Sequence, residues 1–119
     1  MNLRHRQVNQ AVFIYLETKI LPELFPILRE FKEFLQERGI IPTRWFLYGS
    51  FVRGTARVSS DIDVGVILPE YVELSKFYEA RDNFLENRSA WICSHRIEIT
   101  AYDELPPAEW LGAMRELTF

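Results

Sequence analysis

Two aspartates one residue apart, Asp61 and Asp63, run directly into Val64-Gly65-Val66-Ile67-Leu68, a β-branched and aliphatic run of the kind that forms a buried strand. Successive side chains on a strand alternate between faces, so residues two apart share one. Asp61, Asp63, Gly65 and Ile67 then face one way, and Ile62, Val64, Val66 and Leu68 the other. The second set is wholly aliphatic and is expected to pack on helices. The carboxylate face is expected to be open, with Gly65 leaving room beside Asp63 for ions or a ligand.

Carboxylates this close repel, and without a counter-charge at least one should have a raised pKa. A divalent metal removes the conflict. Mg²⁺ prefers hard oxygen ligands, takes one or two carboxylates from a protein, and completes its shell with water and substrate phosphate oxygens. The pair therefore points to a nucleotide. A lone Asp-X-Asp is also a common solvated turn or strand end, so its surroundings have to decide.

Those surroundings supply a cradle for phosphates. Arg44 to Tyr48 reads as a strand, and Gly49 lets the backbone turn without a Cβ in the way. Ser50 is a good N-cap for a short helix from about Phe51 to Ala56, whose N-terminal N–H groups and partial positive charge suit a triphosphate. Arg53 and Arg57, one helical turn apart, add cations, although Arg57 serves equally well as a plain surface charge. Ser60 brings a further hydroxyl just ahead of the aspartates.

Gly49-Ser50, ten residues, then Asp61-Ile62-Asp63, without gap or insertion, resembles the signature of the minimal nucleotidyltransferases of the DNA polymerase β superfamily. Arg53-Gly54 and Ser60 also fall where minimal members carry Arg-Gly and Ser. The resemblance covers residues 44–115 and implies the α/β (α+β) nucleotidyltransferase fold, a small mixed sheet covered by helices, here with two extra N-terminal helices. It also implies a third carboxylate on a neighbouring strand. In His95 to Ala101, Ile97, Ile99 and Ala101 take one face and Arg96, Glu98 and Thr100 the other. Glu98 therefore has the right parity, although the family more often has aspartate there and glutamate reaches one methylene further. The bland reading makes Glu98 an exposed edge-strand charge paired with Arg96. Asp103 is the reserve candidate, expected in a loop beyond the strand.

By that resemblance Asp61, Asp63 and Glu98 are the catalytic residues and metal ligands, and Gly49, Ser50, Arg53 and Ser60 bind the nucleotide. ATP is the implied donor, with two Mg²⁺ ions about 4 Å apart. Larger nucleotidyltransferases add a second domain for the acceptor, and nothing here is long enough to be one. Minimal members often work on a helical HEPN-type toxin, adding AMP to its tyrosine hydroxyl and so acting as antitoxin. A small-molecule nucleotidyltransferase of the antibiotic-modifying type, working as a dimer (a homo-oligomer that builds the acceptor site), competes with that reading. So does a non-catalytic antitoxin that neutralises its partner by contact.

The rest of the chain narrows the setting. With 119 residues, a single domain is expected over 1–119, with residues 1–40 an N-terminal helical extension and 44–115 the catalytic core. A net charge of −3 argues against a broad nucleic-acid-binding surface. Neither a signal peptide nor a membrane span is apparent, and the lone Cys93 cannot form an internal disulfide, which fits a cytoplasmic protein. Cys93 is expected to be a small buried hydrophobe. His5 and His95 lack metal-ligand spacing and are expected to be structural or solvated.

Helical periodicity runs from Arg6 to Ile20, where Pro22 is expected to end or kink the helix. It resumes through Leu24, Ile27, Leu28, Phe31, Phe34 and Leu35 to a Gly39 cap, with Pro22 and Pro26 in the first turn. A further helix is expected from Glu70 to Asn87. A last one, after Pro106 and Pro107, would contain Trp110, Leu111, Met114 and Leu117.

Overall fold

The computed structural model of the chain describes residues 10–107 and 112–119. Residues 10–15 are helical and pass through a π-helical turn at Leu16–Ile20 into helix α1 (Leu21–Glu37). The two expected N-terminal helices are thus one helical run. Pro22 has no N–H, and its ring would crowd the carbonyl four residues back. The wider turn relieves that conflict: the Leu21 N–H reaches back to the Leu16 carbonyl, and Thr18 Oγ1 donates to the Ile14 carbonyl at 2.7 Å. Pro26, expected in the first turn, lies inside α1. Gly39 closes the helix as read, at φ 74°, with Ile40 donating to the Leu35 carbonyl at 2.9 Å and Gly39 to that of Gln36 at 3.0 Å.

Strand β1 (Arg44–Tyr48), the one-turn helix α2 (Ser50–Arg53) and strand β2 (Ile62–Ile67) follow, then helix α3 (Leu74–Glu86), which starts later than expected. Strand β3 (Trp91–Ile92) was not anticipated. It forms a hairpin with β4 (His95–Tyr102) through Cys93 and Ser94, both at positive φ as a type I′ turn requires. Cys93 is therefore exposed in a turn and not buried. Met114–Glu116 is likewise not helical: it is strand β5, paired antiparallel with β1. Trp110 and Leu111 lie outside the described residues.

The strands order as β3-β4-β2-β1-β5 in a mixed sheet, with β2 and β4 parallel and the other pairs antiparallel. One face carries Trp45, Leu47, Ile62, Val64, Val66, Ile97, Ile99 and Ala101, all buried in one core with α1, α3 and Phe51. Phe31 of α1 centres that core, its ring meeting those of Trp45, Phe77 and Phe84 at 5.0–5.9 Å. Beyond the short β3, helix α3 serves the outer edge of β4. Arg81 donates to the Ile99 carbonyl at 2.9 Å, and the Tyr78 hydroxyl accepts from the Ala101 N–H at 3.0 Å. No helix among the described residues is long and apolar enough to cross a membrane.

Among the described residues, helices cover only this face. On the other, Phe46 and Ile67 are buried beneath Tyr48, Tyr102 and Met114. Gly65 is thus not an open space: a Cβ there would meet the Phe46 ring at 2.1 Å. The missing side chain makes room for that ring. Gly65→Ala should therefore lower stability by about 1–3 kcal/mol through overpacking. In a Phe46→Leu background the added cost should shrink, a coupling that a double-mutant cycle by chemical denaturation would measure.

Candidate active site

Strand registers bring the acidic residues together. Asp63 pairs with Tyr48 on one side and Glu98 on the other, and Met114 lies beyond Tyr48. Directly paired residues share a face, so Asp63 and Glu98 are neighbours on the face opposite the described helices. Asp61 sits one residue ahead of β2 and joins them through Arg96, whose guanidinium lies 3.6 Å from Asp61 Oδ2 and bonds Glu98 Oε2. The edge pairing of Glu98 with Arg96 and the approach of Glu98 to the aspartates are both present in one arrangement.

Gly49 joins β1 to α2 and sits against Asp63. It adopts φ 83°, and a Cβ there would stand 2.2 Å from Asp63 Oδ2. Two physical demands, a left-handed backbone and an approaching carboxylate, thus select glycine at this bend. Ser50 is the first helical residue, and Gly49 takes the cap position that the sequence suggested for Ser50. Glycine at the cap frees the serine hydroxyl from a capping bond, and α2 stops at Arg53 because Gly54 turns left-handed at φ 77°. Arg53 reaches along this side, with its Cδ 3.0 Å from where a Cβ on Gly112 would be.

Ser60 closes the loop ahead of the aspartates, its Oγ accepting the Arg57 N–H at 2.7 Å. His95 Nδ1 lies 2.7 Å from the Ser60 carbonyl, and since a carbonyl only accepts, Nδ1 carries the proton. The buried His95 ring also meets Phe51 edge-on at 5.0 Å, so one histidine ties β4, α2 and the Asp61 loop together. That is the structural role expected for it, at a point where it positions the site. Asp103 lies past β4 in an exposed bend. Sequence reasoning passed over the Tyr48–Tyr102 hydroxyl pair, at 3.2 Å beside Asp63. It treated Arg96 only as a partner of Glu98, although the guanidinium shares Glu98's face and that parity was the available signal.

Electrostatics follow from the geometry. Burial, and then the charges of Asp61 and Glu98, push the Asp63 carboxyl up to about 6, with Arg53 opposing. Burial and the Tyr48 hydroxyl hold the Tyr102 phenol above its usual range, so it stays a neutral donor. The oxygen donors suit a hard divalent cation, and a cation is already drawn to Asp61 and Glu98 in the form of Arg96. Among the described residues no three acidic, histidine or cysteine side chains are yet gathered around one point.

A glycine bend, an in-register pair of carboxylates on parallel strands and a third carboxylate one residue ahead of β2 thus lie along one edge of a mixed sheet. The model of the nucleotidyltransferase domain family matches residues 28–106, and the chain belongs to that family. The match begins inside α1, ahead of Arg44. A relative from Methanocaldococcus jannaschii named "Putative protein adenylyltransferase MJ1215" is 38% identical over 69 residues, covering 58% of this chain and 78% of the relative. No solved structure matches the chain significantly.

Two outcomes test this geometry. Asp63→Asn removes a half-buried charge that the native fold disfavours. In metal-free buffer the variant should equal wild type below pH 3.8, where the carboxyl is protonated folded or unfolded, and gain stability as pH rises through about 6. The gain should be on the order of 1 kcal/mol, since solvent screens a half-exposed carboxylate, and denaturant titrations across that range would read it. Gly49→Ala should cost about 1–3 kcal/mol and displace Asp63, visible in the same titrations.

Proposed function

We propose that the protein transfers AMP from ATP to a hydroxyl of a partner protein, in a metal-dependent reaction centred on Asp61, Asp63 and Glu98. The register that sets Asp63 beside Glu98, at the Gly49 bend, is the observation that carries this reading. The printed name of the M. jannaschii relative supports a protein as acceptor. By the resemblance described above, a tyrosine of a HEPN-type toxin is the acceptor, and the protein acts as its antitoxin.

Asp61 and Asp63, with Glu98, would hold Mg²⁺, which when bound supplies a counter-charge for the phosphates and lowers the pKa of an attacking hydroxyl. The chain's own residues do the rest. The Gly49-Ser50 bend and Arg53 receive the triphosphate and absorb charge that grows on the leaving group. Ser60 holds the loop that presents Asp61 and lends its hydroxyl to the phosphates. The acceptor hydroxyl oxygen bonds to the α-phosphorus as the bond to the β-phosphate oxygen breaks, and pyrophosphate departs. Glu98, half-exposed on the acceptor side, takes the hydroxyl proton. Because the described helices all lie on the opposite face, an acceptor carried on another protein can approach this one.

Incubating the purified protein with ATP, Mg²⁺ and the product of the neighbouring gene should add one AMP mass to that product. Asp63→Asn should reduce the addition to background although the variant folds. Protection of cells from the partner by Asp63→Asn, with no AMP on the partner, would instead establish inhibition by contact. Addition of AMP to a small hydroxyl compound in place of protein would move the acceptor class.

A further inference from the structure

Two residues apart on β4, Arg96 and Glu98 project from the same face about 7 Å apart along the strand. The guanidinium turns back onto Glu98 Oε2 and also stands 3.6 Å from Asp61 Oδ2. Asp61 belongs to the loop before β2, so a single cation spans two chain segments. All three side chains remain partly exposed, at 50% for Arg96, 42% for Asp61 and 38% for Glu98. A half-solvated guanidinium can leave such a position without breaking a buried pair, which separates this contact from a structural core ion pair.

We propose that Arg96 is a resident counter-cation of the carboxylate site, which a divalent ion must displace from Asp61 and Glu98 in order to bind. This rests on the reading that those carboxylates hold a metal. Arg96 is then a positioning residue: it keeps Asp61 and Glu98 near one another in the metal-free protein and sets the ion concentration at which the site fills. With Arg96 in place the site attracts a divalent ion less than three bare carboxylates would, and two of the ligands are already engaged. A nucleotide that brings its own ion also brings phosphates, a competing anion for the freed guanidinium. Metal and nucleotide should therefore enter together more readily than metal alone.

Manganese binding to the full chain, followed by the electron paramagnetic signal of free Mn²⁺, tests the proposal. Arg96→Gln should bind Mn²⁺ about tenfold more tightly than wild type at low salt, with the difference shrinking as salt screens the charge. Arg96→Lys, which keeps the charge, should remain close to wild type. The Mn²⁺-induced rise in thermal midpoint should be larger for Arg96→Gln than for the other two. Adding a non-hydrolysable ATP analogue should tighten Mn²⁺ binding more in wild type than in Arg96→Gln. Equal or weaker Mn²⁺ binding by a folded Arg96→Gln would overturn the role given to Arg96 while leaving the metal site standing. If wild type and both variants all fail to bind Mn²⁺, with and without the analogue, the metal reading itself falls and this inference with it.

Discussion

The half-buried position of Asp63, beside Asp61 and in register with Glu98, is the constraint on which the site depends. Parallel pairing of β2 with β4 sets Asp63 opposite Glu98, and the antiparallel partner β1 delivers the Gly49 bend to the same point. Nothing in backbone pairing compensates the charge so created. The cost is visible in Asp63, whose carboxyl is pushed up to about 6 mainly by burial and then by its two acidic neighbours. Such a site persists only where the surrounding structure holds it in place.

That hold comes from the opposite face. Ile62, Val64 and Val66 of β2 are fully buried against helices, in a core centred on Phe31. Alternation along a strand means that fixing those residues also fixes the direction of Asp63. Among the described residues helices lie on one side only, so the core that stabilises the sheet also orients the acid onto the other face. The aromatic cover of Phe46, Tyr48 and Tyr102 limits that access to the end of β2 nearest the Gly49 bend.

Strand periodicity was enough to assign Asp63 and Glu98 their faces, because a period of two does so without any knowledge of neighbours, while the choice of Glu98 itself came from the family resemblance. It also found the back of β2, and the mixed sheet under helices is what the family resemblance implied. What periodicity could not show was what fills a space. Gly65 looked like an opening because its own side chain is absent, but Phe46, on a strand whose pairing no local pattern reveals, occupies it. Cys93 looked buried beside Trp91 and Ile92, yet a hairpin turn takes it to the surface. Met114 and Leu117 carry a helical spacing, and pairing with β1 overrides it. The π-helical turn ahead of Pro22 likewise depends on packing that carries the chain through a proline which would stop an isolated helix.

The three acids are not equivalent, and this bears on how the site can work. Asp63 lies within β2 with a paired strand on each side and a glycine backbone against its carboxylate, so its position is set by the sheet. Asp61 precedes the strand, on a loop held by Ser60 and His95, and Glu98 has one more methylene and a half-exposed side chain. Arg96 reaches these two and not the third. With one fixed acid and two adjustable ones, the proposed exchange of Arg96 for a divalent ion would call on side-chain movement at Asp61 and Glu98. The acid set by the sheet is the one that Arg96 does not reach, and there it is the charge of Arg53 that opposes the rise of the carboxyl.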